Sequence, residues 1–258
     1  MLVTVNVLWL GGPPGSGKTS VARTLARRHG LRWYSSDAHT WAHRDRAIAA
    51  GHPAAIRFER LSPAQRWARP PAELLAMSLH RERGRMIADD LRALPSAPLI
   101  IAEGTPVTPS VAGPRAVWLL PSPSVRRDRL ASRSLPAGVR ALYELLSAEI
   151  EAEVRAAGGR VVAADEDLAA AVGSCFADAL AAGPVASTTG ERRALLRYSN
   201  LALVEQHRAY YARPWARGSL AAAVVEFDCE CGDRACAATV SLPVAEFPVA
   251  PLIACVSG

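Results

Sequence analysis

A run of β-branched and aliphatic residues, Val3 to Leu10, leads without a break into GPPGSGKT at Gly12 to Thr19. Helical spacing of Val21, Leu25 and Ala26 follows, with Arg27, Arg28 and His29 crowding the end before Gly30 stops it. A strand that is apolar on both faces, then a glycine loop, then a helix commits the chain to a parallel sheet covered by helices. The glycines let backbone N–H groups turn inward on an anion, and the helix N-terminus adds its partial positive charge.

Lys18 sharpens this reading because it is the only lysine in 258 residues; every other basic residue is arginine. A compact ammonium on a flexible stem can curl over the β and γ phosphates of a nucleotide, where a planar guanidinium fork has a different shape. Gly12, Pro13, Pro14, Gly15, Ser16, Gly17, Lys18, Thr19 and Ser20 are therefore the expected nucleotide-binding residues, with the Thr19 hydroxyl as a Mg²⁺ ligand.

Short apolar runs alternate with helical patterns through residue 183, the signature of an α/β domain. Strands are expected at Leu31 to Ser35, Leu99 to Ala102, Ala116 to Leu120 and Arg160 to Ala163, with helices near 71–94, 138–157 and 166–182. Ligands of such sheets gather at the carboxyl ends of the strands. Asp37 follows the second strand in SSD and Glu103 follows the third in LIIAEG, so these two acids are the expected partners of a bound nucleotide. Either would hold Mg²⁺ through water or take the proton of an attacking hydroxyl; the plainer readings are a helix N-cap for Asp37 and a solvated loop charge for Glu103.

After the fourth strand, PSPSVRRDRLASR carries Arg126, Arg127, Arg129 and Arg133. On a helix, Arg126, Arg129 and Arg133 share one face, and such a segment over the phosphates would neutralise charge on a transferred phosphoryl group. Arg129 and Arg133 are the leading catalytic arginines. Between residues 38 and 70, His39, Trp41, His43, Arg44, Arg57, Arg60, Arg66 and Trp67 are the candidates for contact with an acceptor, by stacking or ionic clamping, although each tryptophan alone reads equally as packing. In the next helix Arg81, Arg83 and Arg85 alternate with Glu82, so only some can face a cleft.

These residues together resemble the small P-loop kinases, the superfamily of nucleotide, shikimate and gluconate kinases and related antibiotic-modifying phosphotransferases. The matching residues are GPPGSGKT, Asp37, LIIAEG at 99–104 and Arg126 to Arg133 after VWLLP, and the likeness covers about residues 1–183. It implies a P-loop NTPase sheet of five parallel strands flanked by helices, ATP with Mg²⁺, an acceptor site after the second strand and a lid bearing catalytic arginine. The chain departs from the pattern in lacking the paired-acid strand ending of motor ATPases, the glycine triplet of shikimate kinases and any nucleoside-monophosphate signature. The acceptor is left unnamed.

Composition shifts after Gly183, and residues 184–258 are expected to form a small α+β module. Thr189 or Ser187 is the expected cap of a helix running from Arg192 to about Tyr211. Two β-like runs, Ala222 to Phe227 and Ala238 to Leu242, flank DCECGDRAC. Cys229, Cys231 and Cys236 place three thiols around a glycine turn, as Zn²⁺ ligands awaiting a fourth from Cys255 or His207, or as reduced structural thiols. This block resembles a CxC-x4-C appendage of unknown function found in uncharacterised bacterial proteins.

Half the residues are apolar, enough for a large core, and the formal charge is +6. The arginines are scattered among acids without a dense stripe, which argues against nucleic acid as a partner. The apolar start has no basic leader and no segment is long enough to span a bilayer, so the expectation is a cytoplasmic protein without a membrane partner. Two functions compete: an ATP- and Mg²⁺-dependent kinase acting on a small-molecule hydroxyl or phosphate, and an ATP-binding regulator whose C-terminal module contacts a protein partner.

Overall fold

The computed structural model describes residues 6–131, 133–163 and 167–255. Its centre is a sheet of five parallel strands, β1 (Val7–Gly11), β2 (Arg32–Ser35), β3 (Ile100–Glu103), β4 (Ala116–Leu119) and β5 (Val161–Val162), in the order β2-β3-β1-β4-β5. Every residue of β1 and β3 is buried, as strands sandwiched between helices must be. Each expected strand of this sheet is present, with ends shifted by a few residues; positions 3–5 of the first lie outside the described residues.

Alternate side chains of β1 serve two cores. Leu8 and Leu10 pack with Val21 and Leu25 of α1 (Lys18–His29) and with Phe176, while Val7 and Trp9 face Ile87 and Leu91 of a helix on the opposite side. Burying each such side chain is worth roughly 2 kcal/mol, which fixes the register of the strand that delivers the glycine loop. The chain leaves β1 toward β2 and β3 on one side and returns to β4 on the other, so a crevice opens at the carboxyl ends of β1 and β3.

Between β2 and β3 the chain forms α2 (Thr40–Ala49), α3 (Pro53–Arg60), α4 (Pro63–Trp67), α5 (Pro71–Ser78) and α6 (His80–Ala93). Three of these begin with proline at the first helical position, where the missing N–H costs nothing. The single helix expected over 71–94 is thus two, broken at the buried Leu79, which takes φ 57°. After β4 come α7 (Pro123–Ala131) and α8 (Ala137–Ala156). The expected helix over 166–182 is α9 (Leu168–Cys175) and α10 (Ala177–Ala182), parted at Phe176, whose ring is buried in the core; Glu166 lies outside the described residues.

The long helix α11 (Thr189–Tyr211) is capped by Thr188 rather than Thr189 or Ser187. Thr188 Oγ1 accepts the Glu191 N–H at 3.2 Å while Glu191 accepts the Thr188 N–H at 3.0 Å. Only position 188 puts a threonine three residues before Glu191, the spacing this reciprocal cap requires. Beyond it, β6 (Val224–Asp228) pairs antiparallel with β7 (Thr239–Pro243), and Phe227 and Val244 close a small core with Val204 of α11. Among the described residues, no helix is long and apolar enough to cross a membrane.

Candidate active site

At the carboxyl end of β1 the loop turns through left-handed backbone at Gly15 (φ 79°) and Gly17 (φ 93°), conformations that favour glycine. Lys18 Nζ curls back over its own loop, donating to Pro13 O at 2.8 Å and Ser16 Oγ at 3.3 Å. With a buried stem, the ammonium is held below its ordinary pKa by desolvation, while Glu103 and Asp37 draw it back up. A cation parked on weak neutral acceptors at the first residue of a helix suits an anionic ligand.

Glu103, the last residue of β3, lies directly behind Thr19. Its Oε1 accepts from Ser35 Oγ at 2.7 Å and from Thr19 Oγ1 at 3.4 Å, whereas Oε2 is buried with no hydrogen-bond partner. Burial, then the charge of Asp37, pushes the carboxyl up to about 7 against the pull of Lys18. Gly104 follows it because a Cβ there would fall 1.9 Å from Ser36 Oγ. That glycine lets β3 and the turn after β2 close on each other, which brings Glu103 and Asp37 to one place.

In front of the loop lies a cavity of about 350 Å³. The loop and α1 give it Lys18 and Thr19, α6 and α8 give it His80, Arg83 and Tyr143, and Asp37 and Arg133 also line it. Arg83 is anchored by its bonds to Ser36 O at 2.5 Å, Thr40 Oγ1 at 2.9 Å and His43 Nδ1 at 3.4 Å. His43 therefore accepts at Nδ1 and donates from Nε2 to Asp90 at 2.8 Å. Burial keeps both His43 and His80 below the ordinary imidazole value, His80 at about 4 with the help of Arg83, so a neutral ring faces the cavity at pH 7.

The arginine segment divides its work. Arg126 Nη1 is held by Glu151 Oε1 at 2.7 Å and anchors α7 to α8. Arg129 Nη1 reaches Ser16 O of the glycine loop at 3.2 Å, and Leu130 packs beside Gly15. Since α7 ends at Ala131, Arg133 sits in the following turn, exposed at the mouth of the cavity, and not on a shared helix face with the other two.

The residues expected between 38 and 70 to meet an acceptor point elsewhere. Trp41 packs at tilted angles among Phe58, Tyr210 and Trp215; Arg44 lies 3.6 Å from the Phe58 ring centre and Arg66 3.5 Å from it on their guanidinium carbons. Arg44 donates to Met77 O at 2.8 Å and Arg66 to Phe58 O at 2.8 Å, so both staple helices together. Arg57 pairs with Glu73, Arg60 is exposed, and the Trp67 backbone packs against Gly138 of α8. His39 stacks on Tyr34 and, with His43, stands behind the cavity wall. His80 and Tyr143 were missed; the apolar spacing of α5 and α6 hid the break that turns His80 inward, and Tyr143 comes from a helix remote in sequence.

Far from this cavity, Cys229, Cys231 and Cys236 are joined by Cys255, all four sulfurs within 4.8 Å of one another. His207 is not with them: its Nδ1 donates to Leu203 O at 2.9 Å within α11.

No family model and no curated protein sequence matches the chain. Among solved structures it is similar to a shikimate kinase from Acinetobacter baumannii in complex with shikimate, at 18% identity over 68% of this chain and 92% of that one, with a TM-score of 0.42. It is also similar to TT1252 from Thermus thermophilus, at 22% identity over 67% and 96% with a TM-score of 0.44. A third is a sugar kinase from Janibacter sp. HTCC2649, at 21% identity over 68% and 96% with a TM-score of 0.39. In its own strand order and glycine loop the chain has a P-loop fold, a five-stranded parallel sheet flanked by helices.

Proposed function

We propose that this chain transfers the γ-phosphoryl group of ATP, with Mg²⁺, to a hydroxyl or phosphate oxygen of a small molecule. The observation that carries the reading is that Lys18 and Asp37 line one cavity together with polar groups from α6 and α8. A space of this size suits a small molecule, and a nucleotide at the loop would present its last phosphate to it.

The residues present fit both groups. Lys18 and the loop amides between Gly12 and Ser20 would hold the phosphates, and the Ser16 and Pro13 oxygens now on Lys18 would yield to them. The unpartnered Glu103 Oε2 beside the Thr19 hydroxyl fits a metal-bound water, and a dication there would draw the Glu103 carboxyl back to its ionised form. Bound Mg·ATP supplies a phosphoryl group whose negative charge the cation shares. Asp37, which lines the cavity where Glu103 does not, is the group placed to take the proton of an acceptor hydroxyl. Arg129 at the loop and Arg133 at the mouth would stabilise charge spreading over the transferred oxygens.

Lys18→Ala should lower ATP turnover on the order of 10²-fold or more while circular dichroism and thermal midpoint stay those of the wild type. Unchanged turnover in a folded Lys18→Ala protein would remove the basis of this reading.

A further inference from the structure

The cysteine cluster takes no part in the cavity above and makes a second site. Cys229 and Cys255 sulfurs lie 3.5 Å apart, well beyond a disulfide bond, and the cysteines of the described chain are free thiols. A tetrahedral ion with Zn–S bonds of about 2.3 Å spaces its sulfurs about 3.8 Å apart. Four sulfurs that all lie within 4.8 Å need to move only a fraction of that distance to surround one.

Backbone amides are aimed at two of the four sulfurs. Cys229 Sγ accepts the Ala254 N–H at 3.3 Å and Cys231 Sγ accepts the Asp233 N–H at 3.4 Å. A neutral thiol is a weak acceptor, whereas amides aimed at metal-bound thiolates are the expected outer support of such a site. Arg193 donates to Cys231 O at 3.1 Å and Arg27 to Cys236 O at 3.2 Å, which sets positive charge around a centre that would carry a net −2.

What delivers the fourth thiol is a polar frame. Arg197 donates to Pro248 O at 2.5 Å, to Val249 O at 3.2 Å and to Ala250 O at 3.3 Å. The buried Glu230 accepts from Leu252 N at 3.0 Å and from Asn200 Nδ2 at 2.8 Å. These contacts steer residues 248–255 back over the hairpin. Next to Cys229, Asp228 pairs with both Arg23 and Arg27 of α1, the helix that begins at Lys18.

We propose that Cys229, Cys231, Cys236 and Cys255 bind one Zn²⁺ as a tetrathiolate, and that this ion fastens the tail and the β6–β7 hairpin onto α1. Binding converts four thiols to thiolates and releases their four protons to solvent, with no change of oxidation state. The site does not depend on the phosphoryl-transfer reading.

The test is elemental analysis of the full chain, purified under reducing conditions from cells given equal zinc and iron, followed by Co²⁺ titration of metal-stripped protein. One zinc per chain and a tetrahedral cobalt–thiolate spectrum saturating at one equivalent are expected. Cys255→Ser should lose at least tenfold in zinc affinity by chelator competition, while Cys175→Ser matches wild type. The proposal is overturned by stoichiometric iron, by a chain that holds no metal and gives no cobalt–thiolate band, or by a Cys255→Ser protein that binds zinc as tightly as wild type. Should Cys255→Ser fail to fold, the wild-type metal content and cobalt spectrum still decide.

Discussion

The two walls of the cavity are built by different means. The phosphate wall is one continuous piece of chain, from β1 through the loop into α1, and its chemistry is mostly backbone, with a single side chain, Lys18, reaching over it. The other wall is assembled from side chains of α6 and α8, with His80 set by the left-handed residue Leu79 before it. A contiguous backbone device tolerates little change and carries its own signature, while an assembled wall can change its ligand without changing its fold.

This contrast can be broken at several points. The largest effect is expected at the junction of the walls, where Asp37→Asn should lower kcat by about 10²–10⁴-fold and leave nucleotide affinity within about twofold. Isothermal titration with a non-hydrolysable ATP analogue alongside turnover checks both halves; equal losses in binding and rate would place Asp37 in the nucleotide site instead.

On the assembled wall, Tyr143→Phe removes one hydroxyl from the cavity and should raise the KM of whichever acceptor is turned over by roughly three- to tenfold, with ATP kinetics unchanged. Arg44→Met is the counterpart. Arg44 is buried with Nε and Nη1 unpartnered, and burial lowers its pKa to about 9, so an unbranched apolar side chain of similar length should cost or gain about 1 kcal/mol at most. Its KM should not move. If Arg44→Met shifts acceptor KM as Tyr143→Phe does, the helices between 40 and 67 belong to the binding wall after all.

A smaller effect concerns pH. Folded Glu103 holds its proton up to about 7, where the ordinary carboxyl value is 4.5, so folding takes up a proton between those limits. Its contribution to stability is complete below about pH 4.5 and is lost as pH rises through 7. His80, with its imidazole held at about 4, tilts the curve the other way, contributing above the ordinary 6.5 and losing that as pH falls. Glu103→Gln removes only the first slope. The thermal midpoint of the variant relative to wild type, without Mg²⁺ or nucleotide, should therefore rise by a few degrees between pH 5 and 8, at roughly 2–4 °C per kcal/mol. A constant difference would mean that Glu103 is ionised throughout.

How much of this was legible in the sequence follows the same division. The loop, the five strands and the two strand-end acids are local patterns, and each could be read from a few neighbouring residues. The acceptor region could not, because arginine and tryptophan between 38 and 67 serve packing as well as binding. Their actual role is decided by Tyr210 and Trp215, some 150 positions away, which close the aromatic cluster on Trp41 and Phe58. The break at Leu79 has no glycine, proline or asparagine to announce it, and it is what aims His80 at the cavity. In the cysteine cluster, three thiols stand within eight residues, but the fourth arrives only when Arg197 and Glu230 fold the tail back.

The central claim is that a phosphoryl group leaves one wall and arrives on a molecule held by the other. Incubation with γ-labelled ATP, Mg²⁺ and a panel of small metabolites and nucleic acids, with separation of the labelled products, tests it most directly. Label on a small molecule, and none in the Lys18→Ala reaction, is expected; label released only as inorganic phosphate, whatever metabolite is present, would contradict this transfer and support a nucleotide-driven regulator.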